Sequence, residues 1–174
     1  MESNSQDALP GISKDLSCVA SGTLIATPDG QKDSVKFNLG DAVMTASVSS
    51  TGGKLTLQWS NAEIGFHHDL LPTASHRDRL LVEIELERTK LRCTLDQWLL
   101  LPNGEWTTAG LLRPDMQLVD KDGASLAISS IEKGYFKDGI QSIMTNRPWN
   151  GSPDGHILLA NGIVIGDFAM QVYS

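Results

Sequence analysis

The amino-acid sequence argues for an all-β domain of many short strands, and three observations carry that expectation. From Cys18 onward the apolar residues come in brief runs rather than at helical spacing. Turn-forming clusters such as P-D-G, S-S-T-G-G and P-N-G separate those runs. Sixteen glycines and seven prolines punctuate the whole chain, which disfavours long helices.

The elements follow in order. Residues 1–17, with Pro10, Gly11 and mostly polar side chains, have no sustained apolar period and read as a flexible upstream leader. C-V-A-S-G-T-L-I-A-T, V-K-F-N-L, A-V-M-T-A-S-V and K-L-T-L-Q-W then read as strands, each closed by a turn signal. The stretch 60–79 lacks a clean period and is expected to be a loop or irregular insertion. L-L-V-E-I-E-L-E alternates for part of its length, C-T-L-D-Q-W-L-L-L follows, and P-N-G-E-W makes a turn. W-T-T-A-G-L-L-R-P-D has room for one helical turn before Pro114. S-L-A-I-S-S-I-E-K-G-Y-F and G-H-I-L-L-A-N-G-I-V-I-G-D complete the set, the second with an Asn161–Gly162 hairpin turn.

Composition narrows the function classes. At 174 residues the chain fits a single domain with a tail and can bury a sizeable core. Acids outnumber bases 21 to 14, a net charge of −7, and no Lys or Arg cluster could track a phosphate backbone, so nucleic acid is not an expected partner. No apolar run approaches the roughly 20 residues that span a bilayer, so no membrane partner is expected. The polar N-terminus lacks a secretory signal, which leaves a cytoplasmic location as the expectation. Two cysteines, Cys18 and Cys93, are too few for a stapled framework, and reduced thiols are expected.

Several blocks together resemble one family. C-V-A-S-G-T-L-I-A-T-P-D-G with V-K-F-N-L-G-D-A-V-M-T, then T-L-D-Q-W-L-L-L-P-N-G-E-W, then H-I-L-L-A-N-G-I-V-I-G-D are similar, in that order, to the blocks of Hint domains, the self-processing module of inteins and hedgehog proteins. The resemblance covers residues 18–167. It implies a flattened horseshoe of many short strands whose two ends meet at the active site, with residues 168–174 as a downstream flank.

The chemistry can be set beside the resemblance. A cysteine at the start of a domain can attack the preceding carbonyl, here that of Ser17, turning the amide into a thioester. Cys18 would be the nucleophile and Ser17–Cys18 the scissile bond. By resemblance Thr94 hydrogen-bonds near that peptide, and three residues later the family has a His that protonates the leaving amine. This chain has Gln97 there. A carboxamide donates hydrogen bonds but transfers no proton near neutral pH, and general acid catalysis is worth roughly 10²–10⁴ in rate. The first step is therefore expected to be slowed or disabled.

The closing block departs further. Where inteins carry His, then a cyclising Asn, then a nucleophile, this chain has Gly166, Asp167 and Phe168. Aspartate can form a succinimide, but its ionised carboxylate is a poor electrophile. Full splicing is not expected, and a thioester at Cys18 would pass to water or to an external thiol or amine.

Plainer readings stand beside these. Asp96 reads as a turn carboxylate and Cys93 as core, facing away from Thr94 in an extended segment. His156 matches the family's His before A-N-G, where it would orient the backbone or move a proton, and it also reads as a packed His. His67, His68 and His76 fit no common zinc spacing, so no metal is expected, nor any cofactor. Trp59, Trp98, Trp106 and Trp149 read as packing residues. Two functions remain open: autocatalytic rearrangement at Ser17–Cys18, with the chain's own flanks as substrate and the protein a monomer, or a decayed Hint fold kept as a structural or interaction module.

Overall fold

The computed structural model describes residues 17–70 and 79–174. The expected leader, apart from Ser17, and His76 lie outside the described residues. Alternating segments pair into two antiparallel sheets. The larger runs in the order β10 (Gln117–Val119), β11 (Ser125–Phe136), β6 (Arg79–Leu86), β7 (Lys90–Cys93), β1 (Val19–Ala20), β12 (Ile140–Thr145), β5 (Lys54–Leu70) and β4 (Ala42–Thr51). The smaller runs β3 (Gly30–Asp33), β2 (Leu24–Thr27), β13 (Ile157–Ala160), β14 (Ile163–Gly166), β8 (Trp98–Leu100) and β9 (Trp106–Thr108). A short helix, α1 (Phe168–Tyr173), follows β14. The all-β expectation holds.

The main core lies where the sheets face one another. Val43, Ile64, Val82, Ile84, Leu91 and Ile143 of the larger sheet meet Ile25, Leu99, Leu158, Ile163 and Ile165 of the smaller. Strand β6 shows the expected partial alternation, with Val82, Ile84 and Leu86 buried and Glu85 exposed between the last two. Strands β13 and β14 lose that period because every residue in them is buried. Between them Asn161 and Gly162 take φ of 50° and 82°, the left-handed pair that a two-residue hairpin requires.

Two expectations are corrected. Residues 60–70 are no loop: they complete the 17-residue strand β5, which pairs with β4 up to Glu63 and with β12 from Ile64. A strand that changes partner, with a register shift opposite Met144 and Thr145, cannot keep one uniform alternation. Gly65 lies where a Cβ would stand 2.8 Å from the Asn146 Cα. V-K-F-N-L is no strand either. Ser34–Lys36 is a 3-10 turn capped by the Asp33 carboxylate, which accepts from the Val35 N–H at 2.9 Å. The helical turn expected before Pro114 is present as a 3-10 turn at Ala109–Leu111. Among the described residues no helix is long and apolar enough to cross a membrane.

Candidate active site

Strand order builds the site. The two-residue strand β1 lies in the middle of the larger sheet, with β7 on one side and β12 on the other. Val19 pairs with Cys93 and with Gln141. One step back, the antiparallel registers bring Thr94 and Ser142 alongside Cys18. The Thr94 N–H donates to the Cys18 carbonyl at 3.0 Å, and the Cys18 N–H donates to Thr94 Oγ1 at 3.0 Å. The Thr94 hydroxyl points back to the Cys18 carbonyl at 3.3 Å. On the other flank Ser142 Oγ donates to the Ser17 carbonyl at 2.9 Å. The Ser17–Cys18 amide is thus gripped at both its oxygen and its nitrogen, and all four residues are buried.

Gln97 occupies the turn after Thr94, but it does not reach the amide nitrogen. Its Oε1 accepts from Ser17 Oγ at 3.2 Å. Its Nε2 donates to the carbonyls of Gly166 at 2.7 Å and Trp98 at 3.1 Å. Both amide protons are committed, and the side chain ties the residue before Cys18 to the residue before Asp167. Ser17 and Gly166, far apart in the sequence, are joined here. A carboxamide does this at any ordinary pH, because it does not titrate.

Asp167 is equally committed. Its Oδ2 accepts from the Thr145 N–H at 2.9 Å and lies 2.9 Å from His156 Nδ1, while Oδ1 caps α1 by accepting from the Ala169 N–H at 2.8 Å. The Asp167 N–H in turn donates to the His156 carbonyl at 2.8 Å. Both side chains are essentially inaccessible. Burial pulls the His156 imidazole down, but the bond to Asp167 and its charge outweigh it and hold the proton above the ordinary value of 6.5. Burial likewise pushes the Asp167 carboxyl up from 3.8, against the pull of its donors. Asp167 thus favours the protonated imidazole, and burial favours the protonated carboxyl.

Gly166 has a packing reason. A Cβ there would collide with Met170 Sδ of α1 and stand 3.2 Å from the Trp98 Cβ. The Met170 side chain, which α1 lays against Gly166, leaves no room for a methyl unless it shifts. Gly166→Ala is expected to cost about 1–3 kcal/mol through overpacking, read as a lower denaturant midpoint with an unchanged slope. An unchanged midpoint would mean that α1 moves aside without penalty.

Of the residues singled out from the sequence, Ser17, Cys18, Thr94 and Gln97 come together. His156 and Asp167 form their own buried pair. Gln97, Gly166 and Asp167 share with Ser17 a cavity of about 10 Å³, closed further by Phe168, which has room for no more than one water. His156 contacts Asp167, Thr145 and, at a tilt of 44°, the ring of Trp149, and none of these hydrogen bonds goes to the Ser17–Cys18 peptide. Cys93 is buried on the opposite face from Cys18, and the two make no disulfide. Burial, reinforced by the charge of Asp96, raises the Cys93 thiol far above its ordinary value, which keeps it inert. Among the described residues no group of His, Cys, Asp and Glu could hold a metal ion. His67 Nε2 instead meets the Ser34 carbonyl at 2.8 Å. Two contributors escape the sequence argument, Ser142 and Gln171. The one signal that points to Ser142 is a polar Q-S pair inside the otherwise apolar I-Q-S-I-M.

Solved structures place this geometry in context. The chain superposes on the bacterial intein-like domain from Clostridium thermocellum with a TM-score of 0.69 and 14% identity, covering 88% of this chain and 100% of that one. It matches the DnaB intein from Synechocystis with a TM-score of 0.63, 13% identity and 87% and 98% coverage. It matches the gp41-1 intein with a TM-score of 0.61, 20% identity and 88% and 100% coverage. The fold is the intein-type Hint fold. No protein-family model matches the sequence, and no curated protein does.

Proposed function

We propose that this chain rearranges its own Ser17–Cys18 peptide bond into a thioester and thereby cleaves or transfers the segment that ends at Ser17. The observation that carries the reading is the two-sided grip on that one amide, by Ser142 at the carbonyl and Thr94 at the nitrogen. In the step, Cys18 Sγ bonds to the Ser17 carbonyl carbon, the C–N bond breaks, and the thiol proton ends on the Cys18 nitrogen. Ser142 donates to the oxygen as it gains negative charge. Thr94 Oγ1 holds the nitrogen and can turn its hydrogen toward the lone pair that develops there. Gln97 transfers no proton, so the step runs slowly. The substrate is the chain's own flank, and an external thiol, an amine or water resolves the thioester.

Splicing is not part of the proposal. The Asp167 carboxylate is engaged by two backbone N–H donors and by His156, which opposes attack on it by the Phe168 nitrogen, and Phe168 brings no nucleophile. The second reading, an inert Hint module, draws on the same commitment of Gln97 and Asp167 to structural bonds.

Intact-mass spectrometry with and without a strong thiol separates the two. Thiol-dependent loss of residues 1–17 is expected, Cys18→Ala should abolish it, and Ser142→Ala should slow it about 10²-fold. A mass that stays whole in the parent and in Gln97→His alike would establish the inert module.

A further inference from the structure

We infer that Gln171, braced by Asp96, is a positioning residue for the Ser17–Cys18 rearrangement, so that the segment after Asp167 helps set the geometry of the bond before Cys18. The inference rests on the function proposed above. It begins from an unbroken relay: the Ser17 N–H donates to Gln171 Oε1 at 2.6 Å, and Gln171 Nε2 donates to Asp96 Oδ2 at 2.7 Å.

The chemistry of the relay leaves one orientation. A backbone N–H only donates and a carboxylate only accepts, so the group between them must present an oxygen to one and an N–H to the other. A carboxamide does both at once. An acid could accept from Ser17 but would set its charge against Asp96, and a hydrocarbon would satisfy neither. The buried Asp96 Oδ1 meets no hydrogen-bond partner among the described residues, so this carboxylate depends on Gln171 for its side-chain hydrogen bond.

With this relay every polar group of Ser17 is held. Gln171 takes its N–H, Ser142 its carbonyl and Gln97 its hydroxyl. The Ser17 backbone is thereby fixed on both sides of its Cα, which sets the plane of the scissile carbonyl relative to Cys18. The brace itself is anchored. Helix α1 is capped by Asp167, buries Ala169 and Met170, stacks Phe168 on Phe66 with ring centroids 5.3 Å apart, and stacks Tyr173 on Trp149 at 5.7 Å. Asp96 stands in the same turn as Thr94 and Gln97, so one turn positions three of the groups that hold the amide.

The test uses the full chain, a strong small thiol and intact-mass time courses. Gln171→Ala and Gln171→Glu are expected to slow release of residues 1–17 about five- to tenfold, the rate equivalent of one hydrogen bond. The double variant Asp96→Asn with Gln171→Glu restores the relay with donor and acceptor exchanged. It should recover the parent rate to within about twofold and slow hydrogen exchange at the Ser17 amide relative to Gln171→Ala. A merely structural tie would slow release only in proportion to lost stability, which denaturant midpoints of the same variants measure. Single variants as fast as the parent, or a double variant as slow as Gln171→Glu, would overturn the positioning role while leaving the proposed function standing. A parent that never releases residues 1–17, even with Gln97→His, would overturn both.

Discussion

Gln97→His is expected to accelerate thiol-dependent release of residues 1–17 about 10²–10⁴-fold. The same variant is expected to be less stable, and the two effects have separate causes. Rate rises because an imidazole at this position can protonate the departing Cys18 nitrogen, which neither a carboxamide nor the Thr94 hydroxyl does well near neutral pH. Stability falls because Gln97 Nε2 now satisfies the carbonyls of Gly166 and Trp98 while Oε1 takes the Ser17 hydroxyl. A ring with two nitrogens cannot serve all three and also face the amide. Leaving the Gly166 carbonyl unpaired in a buried site costs about 1–3 kcal/mol. For a domain of this size that is a drop of roughly 2–10 °C in Tm. Mass spectrometry over time gives the first quantity and calorimetry the second. A rate that stays within about threefold of the parent, well short of the general-acid range, would mean that amine protonation does not limit the reaction.

Asp167→Ala is expected to produce the largest loss of stability, about 3–5 kcal/mol, because it strands a buried imidazole that has lost its partner. It also removes the cap of α1, worth about 1 kcal/mol more, and frees the Thr145 N–H. The pH dependence should change sign. In the parent, His156 is held above 6.5 by Asp167, so the folded state binds a proton that the unfolded state releases above that pH. That stabilisation is fully present below pH 6.5 and is lost as pH rises through the folded value. Without Asp167 the imidazole loses the two strongest influences that raise it, leaving burial against only the weaker backbone contacts of Arg147 and Pro148, so its neutral form is expected to gain. The variant should then lose stability as pH falls below 6.5. Denaturant midpoints across this window, with an NMR titration of His156, measure both. An unchanged pH profile would refute the coupling.

Two local features are legible in the residues alone. The Asn161–Gly162 turn follows from a dipeptide that tolerates two left-handed residues in succession, and the partial alternation in β6 follows from one buried face. Where a segment serves two neighbours, local pattern misleads. Strand β5 leaves β4 for β12 near Ile64, so 60–70 has the irregular period of a loop. In V-K-F-N-L the buried Phe37 is held by a 3-10 turn rather than by pairing, which residue type does not announce.

The site divides along the same line. Cys18, Thr94 and Gln97 lie in motifs whose spacing is local, and the family resemblance of those motifs makes them candidates for a nucleophile, an amide partner and a replaced proton donor. Ser142 is an ordinary serine until β12 settles beside β1, and Gln171 is a helix-face glutamine until α1 folds back over Ser17. By itself the sequence determined which groups are available: a thiol, a hydroxyl, and an amide where an acid would serve. Only the tertiary structure decided which of them share the Ser17–Cys18 bond. Strand register joins residues more than a hundred positions apart, and that choice depends on the summed burial of two sheets rather than on any short segment.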